Sequence, residues 1–211
     1  MTLLYWGMSM SLFFRKQTYR NYTLEELILS AQSNDIQAIE ELIKREQKNV
    51  YATLYYLNND KSEILDNTQE ILFRMCKNLD KLKSPRAFRS WLNRIIVNYY
   101  YDTIRKKNKI PQTVPVEKIT ADNEVLPSYE TLLADNRKPD ETFLLKELDN
   151  VITSSVQELP EQLKIAIVLR EFQGLSYDEI ANVTGTNVGT VKSRIARARM
   201  KLQEKLRNYM R

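Results

Sequence analysis

The chain has 211 residues, a formal net charge of +5, no histidine and a single cysteine, Cys76. That length suits one or two small domains with modest cores, and the positive balance favours a polyanionic partner. An internal disulfide is excluded, and zinc fingers and histidine-based catalysis lose their usual residues, so no cofactor, metal centre or enzymatic activity is expected. Cys76 lies in an amphipathic run and reads as a small packed hydrophobe, for which a reducing cytoplasm is the natural setting.

Residues 1–14 are apolar, with Leu3, Leu4, Tyr5, Trp6, Leu12, Phe13 and Phe14, and the first positive charges, Arg15 and Lys16, follow them. The stretch is shorter than the about 20 apolar residues that span a bilayer and lacks the basic start of a signal peptide, so stable membrane insertion is not expected. Residues 1–22 are read as a loosely ordered extension, with a membrane-surface or partner-binding arm as the other reading.

From Thr23 the pattern is helical. Thr23-Leu-Glu-Glu26 is a capping box followed by Leu24, Leu27, Ile28 and Ala31 at helix spacing. Asp35 can cap a second helix through Lys48 that buries Ile36, Ile39, Leu42 and Ile43, and a third is expected over residues 50–57. Residues 64–79 follow, with Ile64, Leu65, Thr68, Ile71, Leu72, Met75 and Leu79 inward and Asp66, Gln69, Glu70, Arg74 and Lys77 outward. Asp66 and Glu70 could share a divalent ion in a nuclease, but no third ligand stands near, and Glu70 to Arg74 is an i, i+4 ion pair.

Pro85 marks residues 80–86 as a loop. Residues 87–105 are helical again, with Phe88, Trp91, Leu92, Ile95, Ile96 and Tyr99 inward and Arg94, Asn98, Asp102 and Arg105 along one outer edge. The helix is expected to run out in Arg105-Lys-Lys-Asn-Lys109, beside Tyr99, Tyr100 and Tyr101. Basic charge interleaved with aromatic rings suits unpaired bases; equally, tyrosines at helix spacing fit a core and lysines at a helix end complement its dipole. Residues 110–142, interrupted by Pro111, Pro115, Pro127 and Pro139 and richer in acids than bases, read as a linker.

A second unit of four short helices is expected over residues 143–208. Ser176-Tyr-Asp-Glu179 is a capping box for a helix over residues 177–183, Gly185 supplies a residue tolerant of positive φ, and Thr186 or Asn187 can cap the next helix. In that helix, Val191, Ile195, Ala198 and Leu202 form an apolar stripe, and Thr190, Ser193, Arg194, Arg197 and Lys201 occupy the other side. Cap, turn and basic face together make a helix-turn-helix whose second helix suits a DNA major groove. No alternating run is long enough for a strand, so the fold class is all-α: two small helical domains, the second with the helix-turn-helix.

Two blocks of residues resemble a known family. The first is Asp66-Asn-Thr-Gln-Glu70 with Asn78-Leu-Asp80, Phe88-Arg-Ser-Trp-Leu92, Arg94-Ile-Ile-Val-Asn98 and Asp102-Thr-Ile-Arg105; the second is Leu159-Pro160-Glu161, Gly174-Leu-Ser-Tyr-Asp-Glu-Ile-Ala181 and Gly189-Thr-Val-Lys-Ser-Arg194 with Arg197-Ala-Arg199. In this order, across an acidic linker, they resemble the extracytoplasmic-function group of bacterial sigma-70-type sigma factors. Leu72-Phe73, Cys76 and Ala196 depart from the usual pattern of that group.

The resemblance implies a region 2-like domain over residues 23–109 and a region 4-like domain over residues 143–208. It implies docking of Asp66, Gln69 and Glu70 on core RNA polymerase. The loop with Asp80, Lys81, Lys83, Ser84 and Arg86 would capture a base flipped from the melted minus-10 element, and Trp91 would belong to the same region. Asn98, Tyr99, Asp102 and Arg105 would line that DNA, with Lys106, Lys107 and Lys109 on phosphates. Lys192, Ser193, Arg194 and Arg197, beside Thr190 and Lys201, would read the duplex minus-35 element. An anti-sigma factor is the further partner implied.

A free linker of roughly 33 residues spans only about 30 to 35 Å as a coil, against about 110 Å fully extended and a roughly 70 Å separation of the two DNA elements. Bridging them alone is entropically opposed, so the isolated chain is expected to bind promoter DNA weakly. The rival reading is a self-sufficient helix-turn-helix regulator of duplex DNA, which leaves the first block without a role.

Overall fold

A computed structural model of the chain describes residues 19–58, 60–109 and 139–207, and among these every regular element is a helix. α1 (Leu24–Gln32) opens on the expected capping box: the Thr23 hydroxyl accepts from the Glu26 amide at 3.2 Å and the Glu26 carboxylate accepts from the Thr23 amide at 2.8 Å. α2 (Ile36–Leu57) opens on Asp35, whose carboxylate accepts from the amides of Gln37 and Ala38 at 2.9 and 3.1 Å. The Tyr19 hydroxyl donates to the same carboxylate at 2.5 Å, which holds Asp35 below the usual carboxylate range and pushes the Tyr19 phenol up to about 12.

That bond corrects the boundary of the N-terminal extension. Tyr19–Asn21 forms a 3-10 turn with Tyr19 buried, and Arg45 donates from its guanidinium to the carbonyls of Tyr19 (2.7 Å) and Tyr22 (2.8 Å). Only residues 1–18 of the expected extension lie outside the described residues.

α2 also corrects the sequence reading, which split it in two. No glycine or proline stands between Lys48 and Val50, and the polar run Arg45 to Asn49 is fully compatible with helix, so nothing breaks the backbone ladder there. Ile36, expected in the core, is 71 % exposed, on the solvent side of the first turn, while Ala38 on the same turn is fully buried. α3 (Ile64–Lys77) stops two residues early, and α4 (Phe88–Lys109) continues through the basic run expected to end it. Leu27, Ile28, Leu42, Leu54, Ile71, Met75, Phe88, Leu92 and Ile96 fill the core between these four helices.

α5 (Pro139–Gln157) starts within the expected linker, with Pro139 at its first position, where the missing N–H costs nothing. The rest of the expected linker, residues 110–138, lies outside the described residues. α6 (Glu161–Ile167) passes without a break into a π turn (Val168–Phe172). α7 (Tyr177–Thr184) carries the second capping box and ends on Gly185 at φ 64°, and α8 (Val188–Arg207) begins where Asn187 Oδ1 accepts from the Thr190 amide at 2.7 Å. Leu163, Ile165, Leu169, Ile180, Val191, Ile195 and Ala198 make the second core. The two cores are brought together: α7 packs on α4, and α5 and the π turn pack on α2.

Gly185 has open space around a would-be Cβ, so a side chain there meets strain in the backbone and no clash. Gly185→Ala is expected to destabilise the helix-turn-helix by about 1–2 kcal/mol, the cost of a left-handed L-residue, read as a lower thermal midpoint for the full chain.

Candidate nucleic-acid interface

The connection from α3 to α4 is made of two 3-10 turns, Leu79–Lys81 and Pro85–Ala87. Leu79 and Leu82 are buried beneath it, leaving Asp80, Lys81, Lys83, Ser84 and Arg86 exposed along its crest. A backbone that turns this sharply leaves carbonyls unpaired, and they need donors from elsewhere. Gln32, at the end of α1, supplies them: its amide nitrogen donates to Leu79 O at 2.9 Å and Leu82 O at 2.8 Å. Lys81 donates to Asn78 Oδ1 at 2.6 Å, and Arg86 pairs with Glu25 at 3.4 Å. Exposed pairs of this kind contribute about 0–1 kcal/mol, so both cations can be surrendered to phosphate at little cost.

On α4, Arg94, Asn98, Asp102 and Arg105 are all exposed along one edge, as expected, and Arg105 bonds Asp102 at 2.9 Å. Tyr99 does not join them. It lies about 100° around the helix, half-buried against α3; its hydroxyl donates to Asn67 Oδ1 at 2.6 Å and the Arg74 guanidinium covers its ring at 4.9 Å. Tyr100 is buried on the opposite side, and Tyr101, half-buried, is the tyrosine nearest the exposed edge. The expected platform of three rings is therefore replaced here by Tyr101 alone. Lys106 and Lys107 are both exposed, and Lys107 pairs with Glu63 at 3.2 Å and Asp60 at 4.0 Å on the turn before α3.

The outer face of α3 carries Asp66, Gln69 and Glu70, with Glu70 held by Arg74 at 2.6 Å. Phe73, 61 % exposed, stands in the middle of that face, and Leu65, expected in the core, is half exposed at its edge. An acidic surface with an apolar centre suits a basic helical partner better than it suits a metal ion. Among the described residues no three metal-ligating side chains converge. Cys76 is half-buried, and burial pushes its thiol up, as fits a packing role.

On α8, Thr190, Arg194, Arg197 and Lys201 share one stripe, flanked by Ser193, whose hydroxyl donates to Thr190 O at 2.9 Å. Lys192 stands about 170° around the helix from that stripe, exposed on the far side of the buried residues Val191 and Ile195. It is exposed on the other flank of the open face from Arg194. Arg194 is half-buried and donates to Gln162 Oε1 at 2.7 Å.

Residues 42–110 match the family model for sigma-70 region 2, and residues 149–202 match that for sigma-70 region 4. Two helical units of this kind, in this order, are the promoter-recognition architecture of sigma-70-type proteins. The ECF RNA polymerase sigma-E factor of Haemophilus influenzae is 34% identical over 190 residues, covering 89% of this chain and 97% of the relative. The RNA polymerase sigma-H factor of Pseudomonas aeruginosa is 30% identical over 187 residues, covering 89% and 95%. The sigma factor RpoE of Bartonella quintana, solved with the anti-sigma factor NepR, shares the fold with a TM-score of 0.59 at 21% identity, over 82% of this chain and 98% of that one. The chain belongs to the extracytoplasmic-function (ECF) sigma factors.

Gln32 had no signal in the sequence, being a polar residue at a helix end. Gln32→Ala leaves the Leu82 carbonyl without its donor, while Leu79 O keeps the Leu82 amide at 3.2 Å, at a cost of about 1–3 kcal/mol. Amide exchange at residues 80–83 is expected to accelerate in that variant while exchange in the middle of α4 stays slow, measured by mass spectrometry on the full chain.

Proposed function

We propose that this chain is the subunit through which RNA polymerase finds and opens a set of promoters. Its N-terminal domain (residues 19–109) holds the polymerase through Asp66, Gln69, Glu70 and Phe73. The same domain receives the melted minus-10 strand along Asp80, Lys81, Lys83, Ser84 and Arg86 and the edge Asn98, Asp102, Arg105 and Lys106. Residues 139–207 carry the duplex minus-35 element on Thr190, Ser193, Arg194, Arg197 and Lys201. The observation that carries this reading is the pairing of a region 2 match with a region 4 match in one chain.

Physics assigns the two DNA elements to different surfaces. A flipped base costs a few kcal/mol of stacking and needs a rigid loop with exposed polar groups, which Gln32 and the buried leucines provide. A duplex element needs a helix with an exposed basic stripe on a firm apolar seat, which α8 provides. The chain performs no bond chemistry of its own; polymerase supplies it. An anti-sigma partner follows by analogy with the Bartonella complex, and the cytoplasm follows from where polymerase works. Among the described residues no helix is long and apolar enough to cross a membrane.

Purified core RNA polymerase on a genomic DNA library, with and without the chain, tests the reading by mapping RNA 5′ ends. Discrete starts that require the chain support it; no starts together with no assembly on the polymerase refute it. On a promoter so identified, Arg197→Ala is expected to cut initiation about fivefold to a hundredfold, since a lost base or phosphate contact costs about 1–3 kcal/mol. Asp66→Ala with Glu70→Ala is expected to weaken polymerase binding and leave the fold's thermal midpoint within a few degrees, because exposed charges contribute little to stability.

A further inference from the structure

A groove of about 590 Å³ runs between the start of α1 and the 3-10 turn that opens α4. Its apolar lining is Leu24 and Pro85, both half-buried, and Leu29, which is 55 % exposed. The exposure of Leu29 has a local cause. Leu24, Leu27, Ile28 and Ala31 form the stripe that α1 turns to its neighbours, and Leu29 lies about 100° beyond Ile28, on the side where a polar residue is expected. Leu27 and Ile28 are fully buried, so α1 has its core contacts without Leu29.

The charges around the groove cancel. Glu25 and Glu26 stand against Arg86 and Arg89, and each is already engaged. Glu25 pairs with Arg86 at 3.4 Å, Glu26 closes the capping box with the Thr23 amide at 2.8 Å, and the charge of Arg89 acts on Glu46 of α2. Such a rim offers a polyanion no net attraction, whereas an uncharged apolar guest needs none.

The chain carries such a guest beside the groove. Residues 1–14 contain no charged side chain and end in Leu12-Phe13-Phe14. Tyr19 is fixed by its bond to Asp35 and by Arg45, and it stands four residues before Thr23 at the groove's edge. Four residues span at most about 14 Å, and the five steps from Phe14 to Tyr19 reach about 18 Å, so the tether brings Phe14 to the groove. A tether this short holds the guest at a roughly millimolar effective concentration, and each ring buried removes about 150–250 Å² from water.

We propose that this groove is the docking site of the chain's own segment Leu12-Phe13-Phe14, which covers Leu24, Leu29 and Pro85. The docking belongs to the N-terminal domain by itself and needs neither polymerase nor DNA. It gives the α3–α4 connection a second tie to α1: Gln32 holds Leu79 O and Leu82 O from the end of that helix, and the segment holds Pro85 from its start.

The test uses the full chain with Trp6→Phe, Trp91→Phe and Phe14→Trp, which leaves one tryptophan, at position 14. Its emission is expected to be blue-shifted from that of a peptide of residues 1–18 with the same changes. Iodide quenching is expected to be about tenfold weaker than in the peptide, as when about one segment in ten is undocked. Adding Leu29→Gln, an exposed change that leaves circular dichroism and the thermal midpoint in place, is expected to shift emission and quenching toward the peptide's. Quenching equal to the peptide's, or protection unchanged by Leu29→Gln, overturns the proposal. Protection that disappears on dilution assigns the segment to a second copy, and protection that appears only with phosphatidylglycerol–phosphatidylcholine vesicles assigns it to a membrane surface; either overturns docking within the chain. Because Trp91 packs on Phe88, a second measurement keeps both native tryptophans of the folded domain and the arm's neighbours unchanged. Deleting residues 1–14 is expected to speed amide exchange at Ala87, whose N–H donates to Ser84 O at 3.0 Å, by about tenfold while the middle of α4 stays slow. Unchanged exchange at Ala87 overturns the second tie.

Discussion

The last carbonyls of a helix have no partner within that helix, and in a chain made of helices joined by tight turns they accumulate wherever elements meet. This protein meets that constraint with long side chains sent across from other elements. Gln32 takes the carbonyls of the α3–α4 loop, Arg45 those of the N-terminal turn, Gln157 those at the end of α2, and Arg170 that of Leu175 at 2.7 Å. Each bond contributes only about 1 kcal/mol net. Their placement matters more than their sum, because they fix where one helix ends relative to the next and so fix the shape of the loop and turns between them.

The same constraint separates what the sequence displays from what it conceals. Both capping boxes, the Asp35 cap, Gly185 and the apolar stripes of α3 and α8 are local signals, each written within a few residues, and the fold obeys them. The cross-element donors are not local. Gln32 is separated by 47 residues from Leu79, and Gln157 by 102 from Tyr55, so no window of sequence contains both ends of either bond. The π turn was hidden for a related reason: its residues Val168 and Leu169 satisfy the apolar stripe, and the extra residue that turns Phe172 outward leaves no compositional mark.

The remaining corrections follow from geometry that spacing alone implies but composition obscures. A block such as Thr-Val-Lys-Ser-Arg reads as uniformly basic and polar, yet at about 100° per residue it wraps most of the helix. Arg194 and Lys192 therefore fall on opposite flanks of the open face, with Ser193 and Arg197 between them. The three consecutive tyrosines on α4 behave alike: one turns to α3, one into the joint with α6, and one toward the exposed edge. Ile36 and Leu65 show the complementary effect, being apolar residues on the solvent side of their helices while Ala38 and Ile64, one or two positions away, are fully buried.

Charge is distributed with the same economy. The outer face of α3 is acidic around Phe73, the exposed edge of α4 mixes Arg94 and Arg105 with Asp102, and the stripe of α8 is basic throughout. A chain with a modest excess of positive charge could spread it evenly and bind any polyanion weakly. Concentrating it on α8 and at the end of α4, and placing acids on α3, suits one surface to a basic protein partner and two to a polyanion. Within the α8 stripe Arg194 donates to Gln162 Oε1 of α6, while Arg197 and Lys201 stay exposed, so most of the stripe's charge is open to a polyanion.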